Sequence, residues 1–143
     1  MRIFKSILSK LFLAVPVLLG ACSGSTEDVR LTLCKDLTPE FHDSPGQMEW
    51  ISEDVVIKGY EDLEVRLKYL AGDTEGSFSC FDPYDAVEDN ATMVADPSAA
   101  FSTYPNRVMQ NGETLDHGLV AGKINEVLLK QGKQAIESVK NKL

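Results

Sequence analysis

The clearest regularity in the chain is an alternation: Leu63, Val65, Leu67 and Tyr69 are apolar, and the residues between them, Glu64, Arg66 and Lys68, are charged. Side chains of an extended segment point to opposite faces in turn, so a period of two predicts a strand with one buried face. Trp50 with Ile51, and Val55 to Ile57, suggest one or two shorter strands before it, joined through Lys58-Gly59-Tyr60-Glu61-Asp62. Gly72 to Gly76 reads as the turn that follows, and Ser77 to Phe81 as another short strand with Phe78 and Cys80 on one face.

Elsewhere the period is helical. Leu33, Leu37 and Phe41 recur at steps of four with Cys34 beside them, which predicts a helix over 28–42. Pro39 interrupts it, so the helix either kinks there or ends near Leu37 and restarts with Thr38 as cap and Pro39 in the first turn. From 82 to 105 the pattern fades into acids and prolines, an irregular excursion with about one helical turn. Asn111-Gly112 between Arg107–Gln110 and Glu113–Leu115 predicts a hairpin. The tail is an amphipathic helix capped by Thr114 or Asp116. Val120, Ile124, Val127, Leu128, Ala135 and Val139 share one side, opposite Lys123, Glu126, Lys130, Lys133, Glu137 and Lys140. If that stripe is core throughout, Leu128→Ala costs about 2–5 kcal/mol. The expected fold class is α+β: a small antiparallel sheet packed by an N-terminal helix and a long C-terminal amphipathic helix.

The first 25 residues follow a different logic. Arg2, Lys5 and Lys10 precede an apolar run from Leu11 to Leu19, a positive start and a short apolar core of the kind found in secretion signals. Nine residues are too few to span the roughly 30 Å hydrocarbon layer as a helix. The run closes on Leu19-Gly20-Ala21-Cys22, which resembles the lipobox of bacterial lipoproteins. The resemblance implies cleavage before Cys22 and a lipid-modified cysteine, whose two or three acyl chains hold the protein on a membrane at roughly 0.8 kcal/mol per buried CH₂. It also implies the organisation of the chain: a signal peptide over 1–21, a lipidated cysteine and tether over 22–27, and one periplasmic domain over 28–143. Ser23, where aspartate resembles an inner-membrane retention signal, favours the outer membrane.

Charge and cysteine count narrow the partners. The signal segment holds three of the 14 basic residues and none of the 22 acids, which leaves the remainder near −11. Phosphate neutralisation needs Lys and Arg, so nucleic acid is a poor partner, and overall electrostatic adhesion to anionic lipid is disfavoured. With Cys22 acylated, Cys34 and Cys80 form an even pair in an oxidising compartment and are expected to be bonded to each other.

Sites of chemistry are sparse. Asp82, Asp85, Glu88, Asp89 and Asn90 gather oxygens that a hard cation wants, without the spacing of a helix-loop-helix calcium loop; a solvated acidic loop or a weak cation loop are the two readings. His42 and His117 have no metal-ligand spacing and read as surface histidines, with no metal site expected. Serine, lysine and carboxylate positions form no nucleophilic or acid–base motif. Trp50, Tyr60, Tyr69, Tyr84 and Tyr104 read as core residues rather than a ligand groove. The expectation is a non-catalytic, cofactor-free accessory or partner-binding module, with an envelope protein as partner. The alternative is a periplasmic lipoprotein that binds a small molecule or divalent cation.

Overall fold

A computed structural model describes residues 27–43, 45–85 and 96–142. Helix α1 (Val29–Leu37) is capped by Asp28, whose carboxylate accepts the Arg30 backbone N–H at 2.9 Å. It ends at Leu37, and Thr38–Phe41 continues as a tight 3₁₀ turn with Pro39 near its start. The α-helix therefore ends near Leu37 as one reading of Pro39 has it, but Thr38 does not cap a restart: it is the first residue of the 3₁₀ turn, and its hydroxyl donates back to Cys34 O at 2.7 Å.

Strands β1 (Met48–Lys58), β2 (Asp62–Ala71), β3 (Thr74–Pro83), β4 (Arg107–Gln110) and β5 (Glu113–Thr114) form one antiparallel sheet in chain order. Helix α2 (His117–Lys140) follows, with Asp116 as its cap, accepting from the Leu119 N–H at 2.9 Å. The fold is α+β, as the periodicities predict.

Several boundaries differ from the sequence reading. β1 is a single strand of 11 residues, and a register shift between Trp50 and Ser52 breaks its alternation so that it looks like two. β3 is longer at both ends than 77–81, because the preceding turn contains only Gly72 and Asp73; Gly72 has φ +61, which suits the first central position of a two-residue hairpin turn. Asn111 and Gly112 both have positive φ, the type I′ pattern expected there. Pro97–Ala100 supplies the one helical turn of the excursion.

Leu63, Val65 and Leu67 lie opposite Asp82, Cys80 and Phe78 in the β2–β3 register, so these side chains share one face of the sheet. That face carries the core. Leu33, Cys34 and Leu37 of α1 and Val120, Ile124 and Val127 of α2 pack on it, joined by Phe101 and Val108. The opposite face is polar. There Lys58 and Arg66 hold the largely buried Glu64 at 2.6 and 2.8 Å, and the Arg107 guanidinium lies 3.6 Å from the centre of the Phe81 ring. Among the described residues no helix is long and apolar enough to cross a membrane.

Candidate functional site

Cys34 and Cys80 are bonded, with Cα atoms 6.0 Å apart, and the bond fastens α1 to the centre of β3. Cys22, the residue with the sharpest sequence signal, lies outside the described residues, as do Glu88 and Asp89. The acid cluster proposed around them is split. Asp85 is exposed, whereas Asp82 belongs to β3 and is only 1% exposed on the core face. Asp82 is thus neither in a loop nor solvated, because the register sets it opposite Leu63 rather than beyond the end of the sheet.

Neither Asp82 carboxylate oxygen has a hydrogen-bond partner. Burial pushes this carboxyl up to about 7, against the opposing pull of the Arg30 charge and with further repulsion from Asp28 and Asp62. Arg30 does not turn to it. Its Nε donates to Ser102 O at 2.8 Å, its Nη2 to Ser98 O and Phe101 O at 2.8 and 2.7 Å, and its Nη1 faces the Asp28 carboxylate at 3.2 Å. The guanidinium therefore clamps the segment after Pro97 onto α1, and the carboxylate beside it is left to its proton.

A polar cleft of about 370 Å³ opens at the other end of the sheet, lined by His42, Asp43, Gln47, Tyr69, Thr74, Glu75 and Asn111. His42 is here a half-buried member of a network rather than a surface histidine. Its Nε2 stands 2.7 Å from the Tyr69 hydroxyl and 3.1 Å from Gln110 Nε2. In the Nδ1–H tautomer Nε2 accepts from the phenol, and its single lone pair is shared with the Gln110 amide at the longer distance. The Tyr69 ring lies across Gly76 on the neighbouring strand, where a Cβ would approach the ring to 2.5 Å, so only glycine leaves it room. Nothing in the sequence marks this cluster, because its three members come from the turn after α1, β2 and β4. Chemically it offers hydrogen-bond donors and acceptors, the carboxylates of Asp43 and Glu75, and a phenol hydroxyl held against the imidazole. Among the described residues no group of three or more His, Cys, Asp or Glu could hold a metal ion.

Of the aromatic residues, Tyr69 is core, Trp50 and Tyr84 pack against it partly, and Tyr60 and Tyr104 are exposed, contrary to the expectation that all five fill the core. His117, at the start of α2, is exposed as expected.

The second half of α2 departs most from the sequence reading. Val120, Ile124 and Val127 are buried, but Leu128 is 42% exposed, Leu129 66%, and Ile136 and Val139 58% each. Twenty-four residues make a helix about 36 Å long, and a nine-residue α1 with a four-residue β4 cannot cover it. Lys130 and Gln131 bond to Glu40 and Asp36 at 2.8 and 2.7 Å, and beyond them α2 has no buried residue. Leu128→Ala is consequently expected to change stability by less than about 1 kcal/mol, because leucine and alanine are similar helix formers and little packing is lost. A drop of several °C in the melting midpoint would show that Leu128 packs as core. Compared with known protein families, curated proteins and solved structures, the chain matches none.

Proposed function

We propose that this chain is a lipid-anchored protein of the cell envelope, held through Cys22 most naturally on the periplasmic side of the outer membrane, whose domain docks on another envelope component without catalysing a reaction. The observation that carries the docking reading is the bare apolar stripe Leu128, Leu129, Ile136 and Val139 on the second half of α2. Contiguous exposed apolar surface invites aggregation unless something covers it. The anchor reading is supported by the order of charged start, short apolar run, small residues and cysteine in residues 1–22. A disulfide joining Cys34 to Cys80 suits an oxidising compartment such as the periplasm.

A second reading has a specific observation in its favour. The His42–Tyr69 cleft, with Asp43 and Glu75 on its wall, would suit a small polar or cationic molecule. Ligand-dependent melting shifts of the pure protein would support it over docking.

The anchor is tested by metabolic labelling with a radioactive fatty acid. The wild-type chain is expected to take up label and Cys22→Ala to accumulate as a longer, unlabelled precursor. Label retained by the variant removes the lipoprotein reading.

A further inference from the structure

We propose that the second half of α2 rests on the anionic phospholipid surface of the membrane that holds the Cys22 anchor, with its apolar stripe pressed into the headgroup boundary. The inference deepens the docking reading above and rests on it. Three observations choose this occupant.

The first is charge. Residues 128–142 contain Lys130, Lys133, Lys140 and Lys142 against the single acid Glu137, in a chain whose formal net charge is −8. The overall acidity that argues against lipid adhesion is thus not shared by this segment. Lys130 is engaged by Glu40, but Lys133 and Lys140 make no ion pair among the described residues. An exposed helix face with aliphatic residues in the middle and lysines at its border is the pattern of a helix lying in a membrane interface, where lysine stems bury and ammonium groups reach the phosphates.

The second is position. A groove between α1 and α2 is lined by Val29, Thr32, Gln131, Gln134, Ala135 and Ser138. Ala135 also belongs to the apolar patch with Ile136 and Val139. The start of α1 therefore lies beside the stripe. Cys22 and Val29 are seven steps apart along the chain, a reach of at most about 25 Å when fully extended. An anchor at Cys22 accordingly keeps the stripe next to the bilayer.

The third concerns self-association. A second copy of this basic segment would set its own Lys133 and Lys140 against a surface that already carries them, like charge meeting like. An acidic lipid surface meets both lysines favourably.

The test uses the full chain as made by cells, purified in detergent and reconstituted into vesicles of phosphatidylcholine alone or of phosphatidylcholine mixed with phosphatidylglycerol. Hydrogen exchange is followed in peptides covering 128–142. In the mixed vesicles exchange there is expected to slow by about tenfold or more, because apolar burial and lysine–phosphate attraction add. In phosphatidylcholine alone the slowing is largely lost, and in mixed vesicles Lys133→Glu/Lys140→Glu abolishes it while the protein stays vesicle-bound through its lipid. Flotation with phosphatidylcholine vesicles reads the anchor separately. A chain that floats without protection in mixed vesicles overturns this proposal and leaves the anchor intact. A chain that fails to float yet is protected by phosphatidylglycerol overturns the anchor alone. Protection that grows with protein density on the vesicle, or that requires added envelope protein, overturns the lipid surface in favour of a second copy or a protein partner.

Discussion

Asp82→Asn is expected to melt above the wild type at pH 8 and together with it at pH 4. The Asp82 carboxyl is pushed from 3.8 to about 7, so between those values the folded protein holds a proton that the unfolded chain releases. A raised carboxyl contributes fully at low pH and its contribution is lost as pH climbs to 7, above which the deficit stays constant. Three units correspond to about 4 kcal/mol at 1.36 kcal/mol each, and some relaxation around a buried charge reduces this to roughly 2–4 kcal/mol. In a domain of this size that is roughly 5–15 °C in the melting midpoint. The amide copies the protonated acid in shape and lacks the charge, so its advantage is confined to the pH range in which the acid ionises. Midpoints displaced equally at pH 4 and pH 8 would mean that Asp82 does not titrate in the fold.

Glu64 works in the opposite sense. Burial alone would raise its carboxyl, but hydrogen bonds from Arg66 and Lys58 outweigh it and hold the group at about 2. Its contribution is present above the ordinary value of 4.5 and fades as pH falls toward 2. The two carboxyls thus act in opposite directions, Glu64 losing its contribution as pH falls below 4.5 and Asp82 losing its own as pH rises toward 7.

Removing the staple is expected to cost as much. Cys34→Ala/Cys80→Ala frees a loop of about 47 residues, which in the chain-entropy model loses about 4 kcal/mol of stability. Both residues are 1% exposed, so reductant should leave the folded protein unaffected and act once denaturant opens it. Urea midpoints of the variant and of the wild type with and without reductant measure both effects. A variant as stable as the wild type would show that the sheet and the two helices suffice alone.

The sequence made the paired strands legible wherever one face was wet and the other dry, as at Leu63 to Tyr69, and wherever a turn required Asn-Gly. It made the cysteine pairing legible by count. β1 was obscured because its bulge shifts the alternation at Ile51, and because an edge strand with Val55 and Ile57 half outside the helical cover loses its apolar contrast. Asp82 reads as a loop acid because Pro83 follows it, and only the register opposite Leu63 reveals it as a core residue. His42 gave no signal since its partners are 27 and 68 residues away. For α2, periodicity identifies an apolar face but not how far the rest of the domain extends beneath it, and that length decides whether Leu128 is core or surface.

The chain between β3 and the turn at Pro97 leaves and returns through a closed stem. Tyr84 is bridged to Phe101, the Asp85 N–H donates to Ala100 O at 2.8 Å, the Ser102 N–H donates to Pro83 O at 2.9 Å, and Arg30 grips the carbonyls beyond. The ends are thus joined by the fold itself, whatever number of residues runs between them. Each doubling of such a connection costs only about 0.6 kcal/mol in closure entropy. The stem therefore fixes where Phe101 re-enters the core, and loss of the Arg30 guanidinium would loosen Tyr84 and Phe101 together rather than either alone.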